Sequence, residues 1–450
     1  MKCKLLIVAL LAVLFGQCTV AQTPPPFNKA KLDSLMDILA ANNKVMVSIA
    51  LRQNGQLIYS RAIGYSVING SQKVTASTNT HYRIGSITKV FTSVMIFQLI
   101  EEGKLQLNTP LAHYFPDMPN AAKITIAQML SHTSGLHNFT DDSNFIDVVK
   151  KELTHAEMLA IFKQNKPDFE PGAKQAYSNT AFVLLGYIIE AIDKKPYATA
   201  LKDRIVNKIG LKDTYYGGKI DAAKQEAQSY NWQDNGWKNL IEANMNIPGG
   251  AGALVSTPTA LTQFIDALFT GKLISDSSLT HMKTIKGGFG MDLMQYPFYS
   301  KRGFGHNGGI DNFQSQVVYF PEDKLATSYT ANGVNTSLND VMIGVLSIAF
   351  NRPYTLPNFT PVAGIKLQTA DLDKYLGVYG STALPIKITV TKKDTTLIAQ
   401  GSGQAAFPLE PVAANEFQFA QGGIVIVFDT AAGKFTLKQG GGTYVMTREK

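Results

Sequence analysis

A serine followed three residues later by a lysine, Ser86-Ile87-Thr88-Lys89, opens a mostly apolar run that continues to Glu101-Glu102 and meets Gly103. The pattern predicts a loop that turns into a helix at Ser86, with Ser86 as its N-cap or first-turn residue and Gly103 as its C-cap. On a helix this spacing puts the hydroxyl and the amine on one face, a turn apart. Such a pair can serve as nucleophile and base if burial or a neighbouring cation lowers the lysine's pKa. Ser-x-x-Lys is expected by chance roughly once or twice in a chain of this size. The single match therefore gains meaning only from what accompanies it.

Three other stretches carry chemically useful groups. Tyr177-Ser178-Asn179 is the only Tyr-x-Asn in the chain. A tyrosine can shuttle a proton, and an asparagine can both donate to and accept from an amide. Taken alone, the stretch reads as a buried tyrosine followed by a helix-capping asparagine. His306-Asn307-Gly308-Gly309 lies on or beside a strand-like run, where glycines let a backbone approach a ligand with N–H groups free to donate. Alone, it is an ordinary glycine turn or bulge. Ser131-His132-Thr133-Ser134-Gly135 invites a Ser–His pairing. With no partner acid evident, His132 reads instead as a structural histidine in a turn.

The elements that must hold these groups follow from periodicity. Residues 28–41 predict an amphipathic helix with Leu32, Leu35, Met36 and Leu39 on one face. Residues 45–52 and 57–65 predict a hairpin around Asn54-Gly55. Residues 125–130, 154–164 and 180–193 read as helices. Pro248-Gly249-Gly250-Ala251-Gly252 is a glycine-rich loop, and Ser256-Thr257-Pro258 starts a helix over 260–269. Strands return at 290–294, within 302–320 as two strands around a glycine-rich turn, and at 325–330, and 337–350 reads as a closing helix. The sheet is thus built from both ends of this region, with a helical insertion between. Beyond Pro353, Pro357 and Pro361, strand-like runs at 386–390, 395–399, 416–419, 424–428, 434–438 and 444–447 predict an antiparallel meander, a small barrel or sandwich.

The first 21 residues stand apart. A basic start, Met1-Lys2-Cys3-Lys4, precedes an apolar run from Leu5 to Gly16 that is short for a membrane span, and Thr19-Val20-Ala21 offers small residues before a cut. This is the pattern of a secretory signal peptide, which implies a periplasmic or secreted protein. Attachment of a lipid through Cys18 is disfavoured by the bulky Gln17 before it. Cys3 and Cys18 are the chain's two cysteines, so a cut after Ala21 leaves no disulfide and no thiolate metal site. The formal net charge of +8 falls to +6 without Lys2 and Lys4. The basic residues are dispersed, which argues for a solvated surface rather than a nucleic-acid footprint. No later stretch reads as a transmembrane helix, and no metal or organic cofactor is implied.

Taken in order, Ser86-x-x-Lys89, Tyr177-Ser178-Asn179 and His306-x-Gly308 resemble the serine penicillin-recognising hydrolases. The nearest group is the class C β-lactamase-like family, with its D-Ala-D-Ala carboxypeptidases, D-aminopeptidases and esterases. Leu130-Ser131-His132-Thr133-Ser134-Gly135-Leu136 and Pro248-Gly249-Gly250 are similar to further recurring stretches of that family. The run from Leu372 to Tyr379 is similar to the opening of the lipocalin-like β domains appended to some members. The resemblance implies an α+β fold, an antiparallel sheet flanked by helices with a helical insertion, and a small C-terminal antiparallel β-barrel. It divides the chain into a signal peptide (1–21), a hydrolase domain (22–352), a linker (353–367) and a β domain (368–450). It also implies roles. Ser86 is acylated, Lys89 takes its proton and Tyr177 relays a proton to the leaving group, with the choice of base between Lys89 and Tyr177 open. Asn179 binds the acyl-side amide, and the N–H groups of Ser86 and Gly309, beside Gly308, form an oxyanion hole. The family's β-lactamases carry lysine where this chain has His306. A histidine there is a weaker, pH-sensitive cation for a substrate carboxylate. Lys301 and Arg302 are the nearest fixed charges in sequence. The implied substrate is a D-amino-acid-containing peptide, such as a peptidoglycan fragment, with esters and β-lactams as alternatives on the same machinery. A non-catalytic muropeptide-binding protein is the alternative of another class.

Overall fold

The computed structural model describes residues 27–359, 367–384, 386–404, 406–419, 422–439 and 442–449. The predicted signal peptide, with Cys3 and Cys18, and Pro361 of the predicted linker lie outside them.

Asn54 and Gly55 both take positive φ, 50° and 78°, the geometry of a tight hairpin turn, and join Val45–Gln53 to Gln56–Ile63. The Val45–Gln53 strand then pairs on its other edge with Leu325–Val334, so residues from both ends of the hydrolase region meet in one sheet. The order is Met294–Phe298, Lys301–Ile310, Phe313–Phe320, Leu325–Val334, Val45–Gln53, Gln56–Ile63, and the short Tyr230–Gln233 and Gly236–Asn239 strands add at the Val334 end. One face is covered by Lys29–Ala41 and Leu338–Ala349, whose apolar stripes bury Leu32, Leu35, Met36 and Leu39 against Val341, Val345 and Ile348. The opposite face carries Pro258–Phe269, which packs on the central strands.

The Thr88–Glu101 helix lies at the centre of the helical insertion. Every residue from Thr88 to Leu99 is buried. A helix this apolar all round can only be a core helix. Phe91 stacks on Phe264 at 3.6 Å, tying it to the helix on the sheet. Each such large apolar side chain stabilises the fold by about 1.5–3 kcal/mol on burial. Gly103, at φ 71°, ends the helix as expected, with its N–H on Ile100 O.

Several details differ from the sequence expectations. Ser86 caps no helix: it lies in a 3-10 turn, Gly85–Ile87, that makes no side-chain capping bond, and its hydroxyl is free for other partners. Ser178, not Asn179, caps the Asn179–Asp193 helix by accepting from Ala181 N at 3.2 Å. The strand expected at 290–294 is displaced to Met294–Phe298. The turn between Lys301–Ile310 and Phe313–Phe320 is Asp311-Asn312, both at positive φ, and the glycines of His306-Asn307-Gly308-Gly309 sit within the strand.

Eight antiparallel strands from Gly377–Gly380 to Gly442–Arg448 close a C-terminal barrel. Tyr375, Tyr379, Phe417, Phe428 and Phe435 fill it with a contiguous aromatic cluster. Two of its strands were not expected. Gly377–Gly380 is short and glycine-bounded, and Phe407–Ala413 carries Pro408 and Pro411, whose missing N–H groups argue against a strand. A register shift between Pro411 and Ala413 accommodates the second proline.

Candidate active site

The Tyr82–Arg83 strand delivers the chain to the Ser86 turn by pairing with Leu254–Ser256. Ile84 N donates to Leu254 O at 3.0 Å, and Leu254 N donates to Thr88 Oγ1 at 3.1 Å. These bonds fix the start of the helix against the Gly249–Gly252 turn. That turn comes close because glycine faces glycine: a Cβ on Gly250 would lie 2.8 Å from Phe182 O and 3.0 Å from Gly186 Cα. The close approach brings Ala251 O within 2.7 Å of Lys89 Nζ.

Lys89 is fully buried, and its ammonium group donates three bonds, to Ser86 Oγ at 3.1 Å, Asn179 Oδ1 at 2.8 Å and Ala251 O. Burial pushes its pKa down to about 7, partly opposed by the charge of Asp292. Tyr177 hydrogen-bonds Ser86, and its ring lies 4.8 Å from Lys89 Nζ. Burial drives the phenol's pKa far up, so it is a neutral proton donor. Lys89 and Tyr177 thus converge on the Ser86 hydroxyl, while Asn179 and Ala251 hold the amine. An amine that is largely unprotonated above pH 7, beside a hydroxyl with a neutral phenol at hand, can take a proton, let an oxygen attack and return a proton.

Asn179 is held firmly. Its Nδ2 donates to Asn138 Oδ1 at 3.2 Å and Thr140 Oγ1 at 3.0 Å, so only Oδ1 keeps capacity for a further donor. Asn138 and Thr140 went unnoticed in the sequence, because a polar loop residue has no signature before its partner is known. The same holds for Ala251, which acts through a backbone carbonyl.

Gly85 and Gly308 bring the third motif onto the Ser86 turn. A Cβ on Gly308 would stand 2.0 Å from Ile84 O and 3.0 Å from Ser86 N, and one on Gly85, at φ 50°, 2.8 Å from Gly309 N. Gly308→Ala is therefore expected to push the strand off the turn, lower Tm, and cost kcat/KM about a hundredfold or more. Gly309→Ala, whose Cβ meets only Phe313 O at 3.9 Å, is expected to leave Tm unchanged. Thermal melts and steady-state kinetics on both variants check this.

His306 departs from its expected role. The strand's alternation turns it inward, leaving it 2% exposed, and turns Asn307 outward. Burial pushes its pKa down to about 3 and it does not line the cleft, so it offers no cation to a substrate carboxylate there. Its ring instead sits 6.3 Å from that of Tyr177. Lys301 pairs with Asp323 at 2.5 Å, at the far end of the strand from Gly308. His132 is fully buried and stacks on the Tyr177 ring at 4.5 Å, a supporting position as expected, but it does have an acid beside it: Asp292 Oδ1, 3.9 Å from Nε2. Asp292 gave no signal, being a lone acid in a glycine-rich stretch with no spacing to a motif.

Beside Ser86 opens a cleft of about 450 Å³ lined by Phe139, Phe145, Val149, Ile247 and Ile310, among others. Its one charged lining residue is Asp311, which is neutralised by Arg83 Nη1 at 2.5 Å and also accepts from Ala243 N at 2.9 Å. Among the described residues, no lysine or arginine lines this cleft. No group of metal-ligating side chains is found among them either, and no helix is long and apolar enough to cross a membrane.

The sequence matches the Beta-lactamase family model over residues 32–344. It is 25% identical to penicillin-binding protein 4* of Bacillus subtilis, across 94% of this chain and 99% of that protein. It is 28% identical to the teichoic acid D-alanine hydrolase of Staphylococcus aureus, over 64% of this chain and 71% of that one. Among solved structures, the D-amino acid amidase of Ochrobactrum anthropi SV3, complexed with D-phenylalanine, superposes with a TM-score of 0.63 at 25% identity, covering 72% of this chain and 99% of that one.

Proposed function

The chain belongs to the beta-lactamase family and is a serine hydrolase, and from that premise we propose that it works through an acyl-enzyme on Ser86 with a D-configured, uncharged substrate. The observation that carries this is the 3.1 Å contact between Lys89 Nζ and Ser86 Oγ, with the amine's pKa near 7. Lys89 takes the hydroxyl proton as Oγ bonds to the carbonyl carbon. The N–H groups of Ser86 and Gly309 receive the developing oxyanion. Tyr177 gives its proton to the leaving nitrogen or oxygen as the carbonyl–leaving-group bond breaks, and the proton held by Lys89 balances the phenolate. Water then releases the acyl group by the reverse path. Assigning the base to Lys89 rests on the two pKa shifts: the amine is brought down to working range and the phenol is driven away from it.

The cleft supports the substrate class. Its wall is apolar, and its one carboxylate is already paired, so it suits an acyl side chain that is aliphatic or aromatic. Without a lining cation, it favours an amide or ester over a peptide ending in a free carboxylate close to the scissile bond. This narrows the D-peptide expectation toward D-amino-acid amides and D-alanyl esters, in keeping with relatives described as a D-amino acid amidase and a D-alanine hydrolase. The basic-then-apolar start supports export to where cell-wall polymers lie. A panel of D- and L-amino-acid amides, D-alanyl esters, D-Ala-D-Ala peptides and a chromogenic cephalosporin tests the reading. Turnover of D-amides or D-alanyl esters above the rest supports it; preference for D-Ala-D-Ala or for the cephalosporin overturns it.

The same amine sets a pH dependence. The Lys89 pKa is lowered on folding, so the base is available above about pH 7 and is lost as pH falls through it. The profile of kcat/KM is expected to show an acid limb near pH 7, read from initial rates between pH 5 and 9.

A further inference from the structure

Next to Tyr177, and outside the lining of the cleft, three buried ionisable groups meet in an arrangement that the acyl-transfer steps do not use. Asp292 is 0% exposed, and neither of its carboxyl oxygens has a hydrogen-bond partner among the described residues. Its Oδ1 lies 3.9 Å from His132 Nε2 and 3.6 Å from His306 Nε2, and these two nitrogens are likewise unpartnered. Asp292 also sits at φ 81°, a conformation uncommon for a residue with a side chain. Polar atoms of three ionisable groups brought together in the core without a bond between them are unusual for side chains that merely fill space.

The backbone fixes the tautomers. Ser178 N donates to His132 Nδ1 at 3.2 Å, so this ring is neutral with its hydrogen on Nε2, directed at Asp292. His306 Nδ1 faces Asn307 O, an acceptor, so this nitrogen carries the hydrogen. A neutral His306 then presents a lone pair to the Asp292 carboxylate. Two acceptors in that relation repel unless a proton lies between them, so the Asp292–His306 pair retains one. Contraction by about 1 Å or less would turn both long contacts into hydrogen bonds.

We propose that Asp292 is a positioning residue of the Ser86 site: set between His132 and His306, the two rings packed toward Tyr177, it shares one proton with His306 and so holds both rings against the phenol. The idea rests on the reading of Ser86 and Lys89 given above. The groups that face Asp292 or feel its charge come from every element around it: His132 from the loop after the Ile126–Leu130 helix, His306 from its strand, Lys89 from the central helix, and Tyr177, Tyr197 and Tyr296. A negative charge at Asp292 favours the ammonium form of Lys89, and the proton shared with His306 reduces that charge.

Two measurements test it. In the full chain labelled with 15N-histidine, His306 is expected to show a protonated Nδ1 at neutral pH, with Nε2 either protonated or in exchange with a shared proton. A His306 with its hydrogen on Nε2 and a bare Nδ1 would overturn the proposal without any variant. Asp292→Asn keeps the shape, and asparagine tolerates the backbone conformation. It cannot share a proton, so His306 in the variant is expected to show a bare, accepting Nε2. A His306 Nε2 signal identical in the variant and the wild type, whatever the plateau or Tm, would reduce Asp292 to a structural part and overturn the proposal. If the wild type forms no acyl-enzyme, it is the Ser86 reading that fails, while the histidine spectrum still reports on the cluster.

Discussion

Ser86→Ala is expected to lower kcat/KM on any substrate that the wild type turns over by about 10⁴- to 10⁶-fold, the scale seen when a covalent nucleophile is removed. The fold should survive the change. Ser86 caps no helix, and the Lys89 ammonium keeps its bonds to Asn179 Oδ1 and Ala251 O when the hydroxyl is gone. Losing the hydroxyl's bonds to Lys89 and Tyr177 costs about 1 kcal/mol each at this half-buried site. Steady-state kinetics beside a thermal melt separate the two effects. A residual rate within tenfold of wild type would remove Ser86 from the chemistry.

Lys89→Met is the second large expectation, a loss of about a thousandfold or more in kcat/KM, mostly in kcat. Methionine matches the length of the lysine stem and fills the same buried space, but it has no nitrogen to take the Ser86 proton. The variant should also lose the acid limb near pH 7, because the group that titrates there is gone. Arginine would fail for the opposite reason: it stays charged and cannot act as a base. A Lys89→Met enzyme that kept the wild-type limb would shift the base assignment to another group, with Tyr177 first in line, since it also bonds Ser86.

What the sequence made legible was local. The Ser86–Lys89 spacing survives into the structure because three residues span one helical turn, here a 3-10 turn entering a helix, and the two side chains still meet. Tyr177 and Asn179 were found because a short motif at a helix start keeps its members together. The helix at Leu32–Leu39 and the hairpin at Asn54-Gly55 followed from periodicity and turn chemistry. What escaped was of two kinds. Backbone groups such as Ala251 O act wherever the chain carries them, whatever their side chain. Solitary partners such as Asn138, Thr140 and Asp292 matter only through residues far away in sequence.

His306 shows a third limit. Its identity was readable and its orientation was not. One step of strand alternation decides whether a side chain meets solvent or the core, and here it placed the imidazole inside with Asp292 and the carboxamide of Asn307 outside. That single parity turned an expected substrate cation into part of a buried cluster and with it redirected the substrate reading from carboxylate-ended peptides to uncharged amides and esters. The prolines of Phe407–Ala413 mark the same boundary in the barrel, where closure overrode local propensity.

The acyl-enzyme claim is tested most directly by intact-protein mass spectrometry after treatment with a fluorophosphonate, followed by peptide mapping. The expected result is one adduct per chain, located on Ser86 and absent from Ser86→Ala. A folded wild-type sample that stays unlabelled, or an adduct mapped to another residue, would contradict it.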